Sequence, residues 1–305
     1  MVNSCLPDFV IIGATKSATT WLSQNLRSHQ DVFMPSPELH YFSRFLDRGD
    51  DWYRAQFAGA RAGQLIGEKS ASYLPHPDAP QLLHRLLPRA KLLAQLRNPI
   101  ERAYSDYCMH YRRGQVNRDI DRYLDARRTP IPRLLEDGFY HRHLTNFLRT
   151  FPLPRLKILL YDDIRERPRE VFREVCGHLG IDDAVEPQAV EQRVKDKETP
   201  RVPPRARQLL APFKAIVQPY RGTRAFVAAH SLIARRLRYP PLAPELRRRL
   251  QAYYAEDIAR LGDLLGRDLS VWLAEAAGGD AASSPTAAGP QARDRTLAEA
   301  ANARA

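Results

Sequence analysis

A short apolar run that gives way to a hydroxyl-rich turn bearing one lysine constrains this chain most. Asp8 to Gly13 reads as a buried strand, an apolar stretch closed by glycine. Gly13-Ala14-Thr15-Lys16-Ser17-Ala18-Thr19-Thr20-Trp21 follows. Ala18 to Ser28 then has helical character, with Leu22 and Leu26 four apart. Where a strand turns into a helix, free backbone N–H groups and the positive end of the helix dipole favour an anion. Lys16 adds a full charge, and Ser17, Thr19 and Thr20 add hydroxyl donors. The spacing is not GxxxxGK[ST]: Gly13 and Lys16 are three apart and no glycine precedes the lysine, which disfavours a nucleoside triphosphatase. The plain alternative is a Ser/Thr-capped helix with a surface lysine.

The rest of the chain alternates in the same way. Gln64–Glu68, Lys91–Leu96 and Leu156–Tyr161 read as strands. Pro77–Leu87, Pro99–Tyr111, Tyr140–Thr150 and Arg169–Leu179 read as helices, the last closed by Gly180. Strands alternating with helices predict an α/β fold, a P-loop-like central parallel sheet flanked by helices. Length and apolar content suit a single domain over residues 1–275 with a basic helical and loop region near its end. There Pro200–Pro204 and Arg238–Pro244 read as loops, Ala225–Leu237 as a short helix and Glu245–Leu265 as a long amphipathic helix. Trp272 is expected to dock the end of the fold. Residues 276–305, rich in Ala, Gly, Ser and Pro, read as a disordered tail.

Charge is localised. The formal net charge is +12, and Arg193–Arg249, with fifteen Lys and Arg against three Asp and Glu, accounts for all of it. A basic surface of that kind suits an anionic ligand, an acidic acceptor or a membrane face. Nucleic acid is disfavoured, because no aromatics are interleaved at RNA-binding spacing. Arg235, Arg236 and Arg238 adjoin Phe226, Val227, Leu232 and Ile233, which allows a peripheral membrane contact. Cys5, Cys108 and Cys176 make neither a disulfide framework nor a metal-ligand pattern. No basic leader precedes Phe9–Ile12, and no stretch approaches a membrane span, so a cytoplasmic location is expected.

Several separate segments, taken in order, resemble the sulfotransferase family, in particular the branch of heparan sulfate sulfotransferases and their bacterial relatives. The resemblance runs from Asp8 to Leu273. Gly13–Trp21 looks like the loop that holds the 5′-phosphosulfate of 3′-phosphoadenosine 5′-phosphosulfate. Glu38-Leu39-His40-Tyr41-Phe42 looks like the acidic acceptor segment, and Glu68-Lys69-Ser70-Ala71-Ser72-Tyr73 like the family's Glu-Lys-Thr/Ser segment. Leu96-Arg97-Asn98-Pro99 through Tyr107 looks like the 3′-phosphate segment. The resemblance implies transfer of a sulfuryl group from that donor to an acceptor hydroxyl on a glycan, glycolipid or natural product, without a metal.

The chemistry suits these residues. The donor carries two anionic ends and needs two cationic clusters. Lys16, Ser17, Ala18, Thr19, Thr20 and Trp21 would hold the phosphosulfate. Arg97, at a strand's carboxyl edge, and Ser105, two turns into the next helix, would hold the 3′-phosphate. A structural ion pair with Glu101 is the alternative for Arg97. Sulfuryl transfer, like phosphoryl transfer, rests on positioning and charge stabilisation. Lys16 is the natural stabiliser of the leaving oxygen, with Lys69 as second candidate.

An acceptor hydroxyl needs a base. The resemblance implies Glu38, with His40 orienting the acceptor or the carboxylate; His40 itself is the alternative. Glu68 reads as structural, paired with a nearby cation, or as a further base candidate. Tyr140 resembles a position near the acceptor cleft. His141 and His143 are two apart on a helix and face different ways, so they are not read as metal ligands. In relatives a late basic loop closes over the 3′-phosphate; here Arg201 and Arg205 are the candidates. Two rival functions stand beside this one. A P-loop-like small-molecule kinase would use Asp162-Asp163 for magnesium, and a membrane-surface binding protein would use the basic segment alone.

Overall fold

The computed structural model describes residues 6–183, 185–187 and 237–274. Strands β1 (Phe9–Gly13), β2 (Val32–Phe33), β3 (Leu65–Lys69), β4 (Lys91–Leu96) and β5 (Leu156–Leu160) form a parallel sheet in the order β2-β3-β1-β4-β5. Helices are α1 (Thr19–Arg27), α2 (Tyr41–Arg44), α3 (Gly49–Ala55), α4 (Ala79–Leu86), α5 (Pro99–Arg112) and α6 (Ile120–Leu124). They continue as α7 (Arg133–Glu136), α8 (Tyr140–Leu148), α9 (Tyr161–Glu166), α10 (Pro168–Leu179) and α11 (Pro244–Leu265). This is the expected α/β architecture.

β1 lies at the centre, and all five of its residues are buried. Because side chains alternate across a strand, its apolar run feeds two cores. Phe9 and Ile11 pack with Leu93 and Leu159 against α1 and α10, through Trp21, Leu22, Leu26, Phe172 and Val175. Val10 and Ile12 join Leu92, Ala94 and Leu96 on the other face, under α4, α5, α8 and α11. Each Leu or Ile buried this fully is worth about 1.5–3 kcal/mol of transfer free energy. Gly67 on β3 lets the Phe9 ring lie flat on the sheet: a Cβ there would stand 2.1 Å from Phe9 Cζ.

Local signals fix the elements nearest the site. The Asn98 side chain accepts the N–H groups of Ile100 (3.0 Å) and Glu101 (3.5 Å), and Pro99 takes the first helical position. The Asn98 amide also donates to the Trp272 carbonyl at 3.1 Å, while Trp272 Nε1 donates to Asp162 Oδ2 at 3.0 Å. Trp272 thus docks the end of the described chain over β4 and β5. The compact unit ends at Leu273. α10 closes at Gly180 in the left-handed conformation, φ 84°.

β3 runs one residue beyond the strand read from sequence, which makes Lys69 its last residue. β2, α2, α3, α6, α7 and α9 were not read from periodicity; at two to seven residues they are too short to display a period. Arg238–Ala243 is irregular, as expected, and α11 starts at Pro244. Arg201, Arg205, the Pro200–Pro204 loop, the Ala225–Leu237 helix (apart from Leu237) and the tail from residue 276 lie outside the described residues. Among the described residues, no helix is long and apolar enough to cross a membrane.

Candidate active site

The lysine turn leaves β1 between β3 and β4, where the strand order reverses; open α/β sheets place ligands at such a point. Lys16 (φ 66°) and Ala18 (φ 64°) both adopt the left-handed conformation without being glycine. That costs about 1–2 kcal/mol per residue and is retained where a site requires it. Left-handed residues alternating with ordinary ones are the backbone pattern of an anion nest, in which successive N–H groups converge. Beneath it, the Thr15 and Ser17 hydroxyls are buried without a hydrogen-bond partner. Burial holds the Lys16 pKa below its ordinary value; Asp106 opposes this, and Arg112, Arg113 and Arg97 reinforce it.

Thr20 remains half-exposed at the start of α1, whereas Thr19 is buried. The side chain of Trp21 turns away from the lysine turn. Its ring is buried in the core, edge-on to Phe172, and its main-chain N–H donates to the Ala18 carbonyl at 2.8 Å. Helix amphipathicity turns it inward, toward the face that carries Leu22.

Across from the turn, Glu38, His40 and Lys69 come together. Lys69 Nζ lies 2.8 Å from Glu38 Oε1 and donates to Thr20 Oγ1 at 3.2 Å. Glu38 Oε2 accepts the Ala71 N–H at 3.2 Å and lies 3.7 Å from His40 Nε2. Burial pushes the Glu38 carboxyl upward, but Lys69, the Ala71 amide and His40 outweigh it, and its pKa lies below the ordinary value. His40 is held below its own by burial, reinforced by Arg44 and Lys69 and opposed by Glu38.

Supporting residues here were not singled out from the sequence. Arg27 donates to the carbonyls of Pro35 (2.6 Å) and Ser36 (3.1 Å), bracing the proline-bounded loop that carries Glu38. His40 Nδ1 pairs with Ser72 Oγ, and Ser72 Oγ with Ser43 Oγ, each at 2.7 Å. His40 is left-handed, φ 51°, and its N–H donates to Ser70 Oγ at 2.8 Å. Ser70 Oγ in turn donates to Glu68 Oε1 at 2.8 Å.

Glu68 differs from the cation pair expected for it. It is fully buried and receives the hydroxyls of Tyr53, Tyr73 and Ser70. Burial outweighs these bonds and raises its pKa. Hydroxyl donors from two elements replace a cation because Glu68 points into an aromatic layer of Tyr41, Phe42, Tyr53 and Tyr73.

On the other side of the turn, Arg97 follows β4. Its guanidinium stacks 4.7 Å from the Tyr161 ring centroid and donates to the Lys16 carbonyl at 3.5 Å. The Glu101 pair weighed for it is present but long, 3.9 Å, and Glu101 is held more closely by Arg247 at 2.7 Å. Ser105 is half-buried two turns into α5. Tyr140 is fully buried, with Ser17 and Arg97 beside its hydroxyl. That sets its hydroxyl beside the lysine turn.

The histidines of α8 and the acidic pair of α9 have structural duties. His143 Nε2 pairs with the Glu136 carbonyl at 2.9 Å, and burial pushes the ring pKa down to about 4. The N–H groups of His141 (3.0 Å) and Arg142 (3.1 Å) donate to Asp257, so α11 caps α8. Asp162 accepts from Trp272, and Asp163 is clasped by Arg267 through two hydrogen bonds, so both carboxylates tie α9 to the end of the described chain.

The family described as "Sulfotransferase domain" matches residues 6–199 of this chain. Over 189 residues the chain is 32% identical to "Heparan sulfate glucosamine 3-O-sulfotransferase 6" of Mus musculus, covering 57% of this chain and 52% of the relative. It is 36% identical over 107 residues to "Membrane-associated sulfotransferase kil1" of Dictyostelium discoideum, covering 34% of this chain and 23% of that one. Among solved structures it is similar to a sulfotransferase from Alicyclobacillus acidocaldarius, with a TM-score of 0.66 and 25% identity, over 88% of this chain and 99% of that one. The chain spans about half the length of the mouse relative. By its parallel sheet and a family match over more than half its length, the chain belongs to the sulfotransferase domain family.

Proposed function

We propose that this chain moves a sulfuryl group from 3′-phosphoadenosine 5′-phosphosulfate to a hydroxyl of a carbohydrate-containing acceptor. One observation carries the proposal. Glu38, a base, and Thr20, at the head of the anion-turn helix, meet on the same lysine, Lys69, at 2.8 and 3.2 Å. A proton acceptor and an anion site separated by one ammonium are what hydroxyl sulfation needs.

The residues present fit the donor. The partnerless buried hydroxyls of Thr15 and Ser17 and the Lys16 ammonium suit its phosphosulfate. Arg97 and Ser105 suit its 3′-phosphate, and Arg201 or Arg205 is proposed to cover it. The donor supplies an electrophilic sulfur and a nucleotide leaving group. The acceptor oxygen bonds to sulfur as the bond from sulfur to the phosphate oxygen breaks. The hydroxyl proton passes to Glu38, and Lys16 neutralises the charge left on the departing oxygen. His40 holds Glu38 and the acceptor in line. A glycan acceptor is supported by the heparan sulfate relative; glycolipids and hydroxylated natural products offer the same group.

The test is transfer of labelled sulfate from the donor into carbohydrate acceptors, with Glu38→Gln as control. That substitution keeps shape and removes the base, so turnover is expected to fall by about 10² to 10⁴. Near wild-type transfer by a folded Glu38→Gln chain would move the role to His40. The basic segment 193–249 is proposed to add a membrane contact, supported by its arginines beside apolar residues and by the membrane-associated relative. Sedimentation with anionic vesicles checks it; equal recovery with neutral vesicles would remove it.

A further inference from the structure

Glu38 is tied up in this structure. Its Oε1 faces the Lys69 ammonium at 2.8 Å, and its Oε2 takes the Ala71 N–H at 3.2 Å with His40 Nε2 at 3.7 Å. A carboxylate held by an ammonium and an amide has little affinity for another proton. The same ammonium bonds Thr20 Oγ1, on the first turn after the anion site. Lys69 is only 7% exposed, so water competes poorly for it.

We propose that Lys69 is a donor-operated tether: with the anion turn empty it clamps Glu38, and an anion seated on the turn draws the ammonium away and frees the carboxylate to accept the acceptor's proton. The inference rests on the function proposed above and gives Lys69 a positioning role in addition to charge stabilisation. Its physical basis is competition. One ammonium cannot fully satisfy a carboxylate on one side and a phosphosulfate on the other, and the nucleotide brings more negative charge than Glu38. The tether makes base strength conditional on a filled donor site and so disfavours proton abstraction without a donor.

The other charged groups that sense Glu38 do not perform this switch. Arg27 is engaged with the carbonyls of Pro35 and Ser36. His40 is held by Ser72, and Glu68 is buried among hydroxyls on the far side of Ser70. Lys69 alone among them bonds both Glu38 and the anion-turn helix.

Competition is reciprocal, so removing the Glu38 charge must tighten nucleotide binding by releasing Lys69. Calorimetry with adenosine 3′,5′-bisphosphate on the full chain reads this without turnover. Glu38→Gln is expected to bind about fivefold or more tightly than wild type. In a Lys69→Gln background the same substitution is expected to change affinity by less than about twofold, since the coupling belongs to the pair. Unchanged or weaker binding by Glu38→Gln overturns the tether. So does tightening that persists without Lys69, which would mark plain repulsion between Glu38 and the nucleotide. If Lys69→Gln does not fold, Lys69→Met, which suits the buried stem, takes its place. A wild-type chain that binds no bisphosphate overturns the proposed donor as well, so the two failures are distinguishable.

Discussion

Lys16 combines three features that single side chains rarely share. It is partly buried, its backbone is left-handed, and burial, reinforced by three arginines and opposed by Asp106, holds its pKa below the ordinary lysine value. Such a lysine gains most when an anion arrives. Lys16→Ala is expected to lower turnover by about 10² or more, because it removes charge aimed at the leaving oxygen. A folded variant with near wild-type turnover would remove Lys16 from that role. Arg97 behaves differently, since its guanidinium is already oriented by Tyr161 and the Lys16 carbonyl. Arg97→Ala is expected to weaken adenosine 3′,5′-bisphosphate binding by roughly 2–4 kcal/mol, leaving an anion without its paired cation. Unchanged affinity in calorimetry would take Arg97 out of the nucleotide site.

At the level of elements, the site is assembled from segments that end where β1, β3 and β4 end, so small features at those ends decide its geometry. Asn98 is the plainest case. It caps α5, the helix that carries Ser105, and ties it to the chain end at Trp272. Asn98→Ala is expected to cost about 1 kcal/mol of stability in urea unfolding, with nucleotide affinity falling as α5 loses its fixed start. A cost below a few tenths would mean water replaces the cap. The loop that carries Glu38 and His40 is fixed from below instead, through Glu68, Ser70 and the left-handed His40.

Across the whole molecule, two buried groups give stability opposite pH dependences. His143 is pushed down to about 4 by burial. It stays neutral in the folded chain while an unfolded chain protonates below about pH 6.5, so its contribution is lost as pH falls from there toward 4. Asp137 is pushed up to about 6 by burial, against Arg102 and Arg133. Its contribution runs the other way, present at low pH and lost as pH rises through about 6. The two partly cancel in the wild-type profile, and a single substitution exposes each. Between pH 7.5 and 4, wild type is expected to lose on the order of 3 kcal/mol relative to His143→Gln, which keeps an N–H for the Glu136 carbonyl. A pH-independent difference between the two unfolding curves would show that His143 protonates freely in the fold.

The strands β1 and β4, the helices α5 and α10, and the lysine turn between β1 and α1 were legible in the sequence. Each carries a local signal: an apolar run, a capping Asn-Pro, a closing glycine, or a lysine among hydroxyls at a strand's end. The residue types at the site followed from the same segments, since an anion requires cations and donors wherever the chain bends to meet it. Tertiary structure alone decided which of them touch. The Glu38–Lys69–Thr20 contact joins three stretches of sequence, and the hydroxyl cage around Glu68 draws on α3 and the turn after β3. The ring of Trp21, in the segment that resembles the phosphosulfate loop, is sent into the core by the phase of its helix. Long-range pairing depends on sheet order and on how far each loop folds back, and neither leaves a period or a composition along the chain.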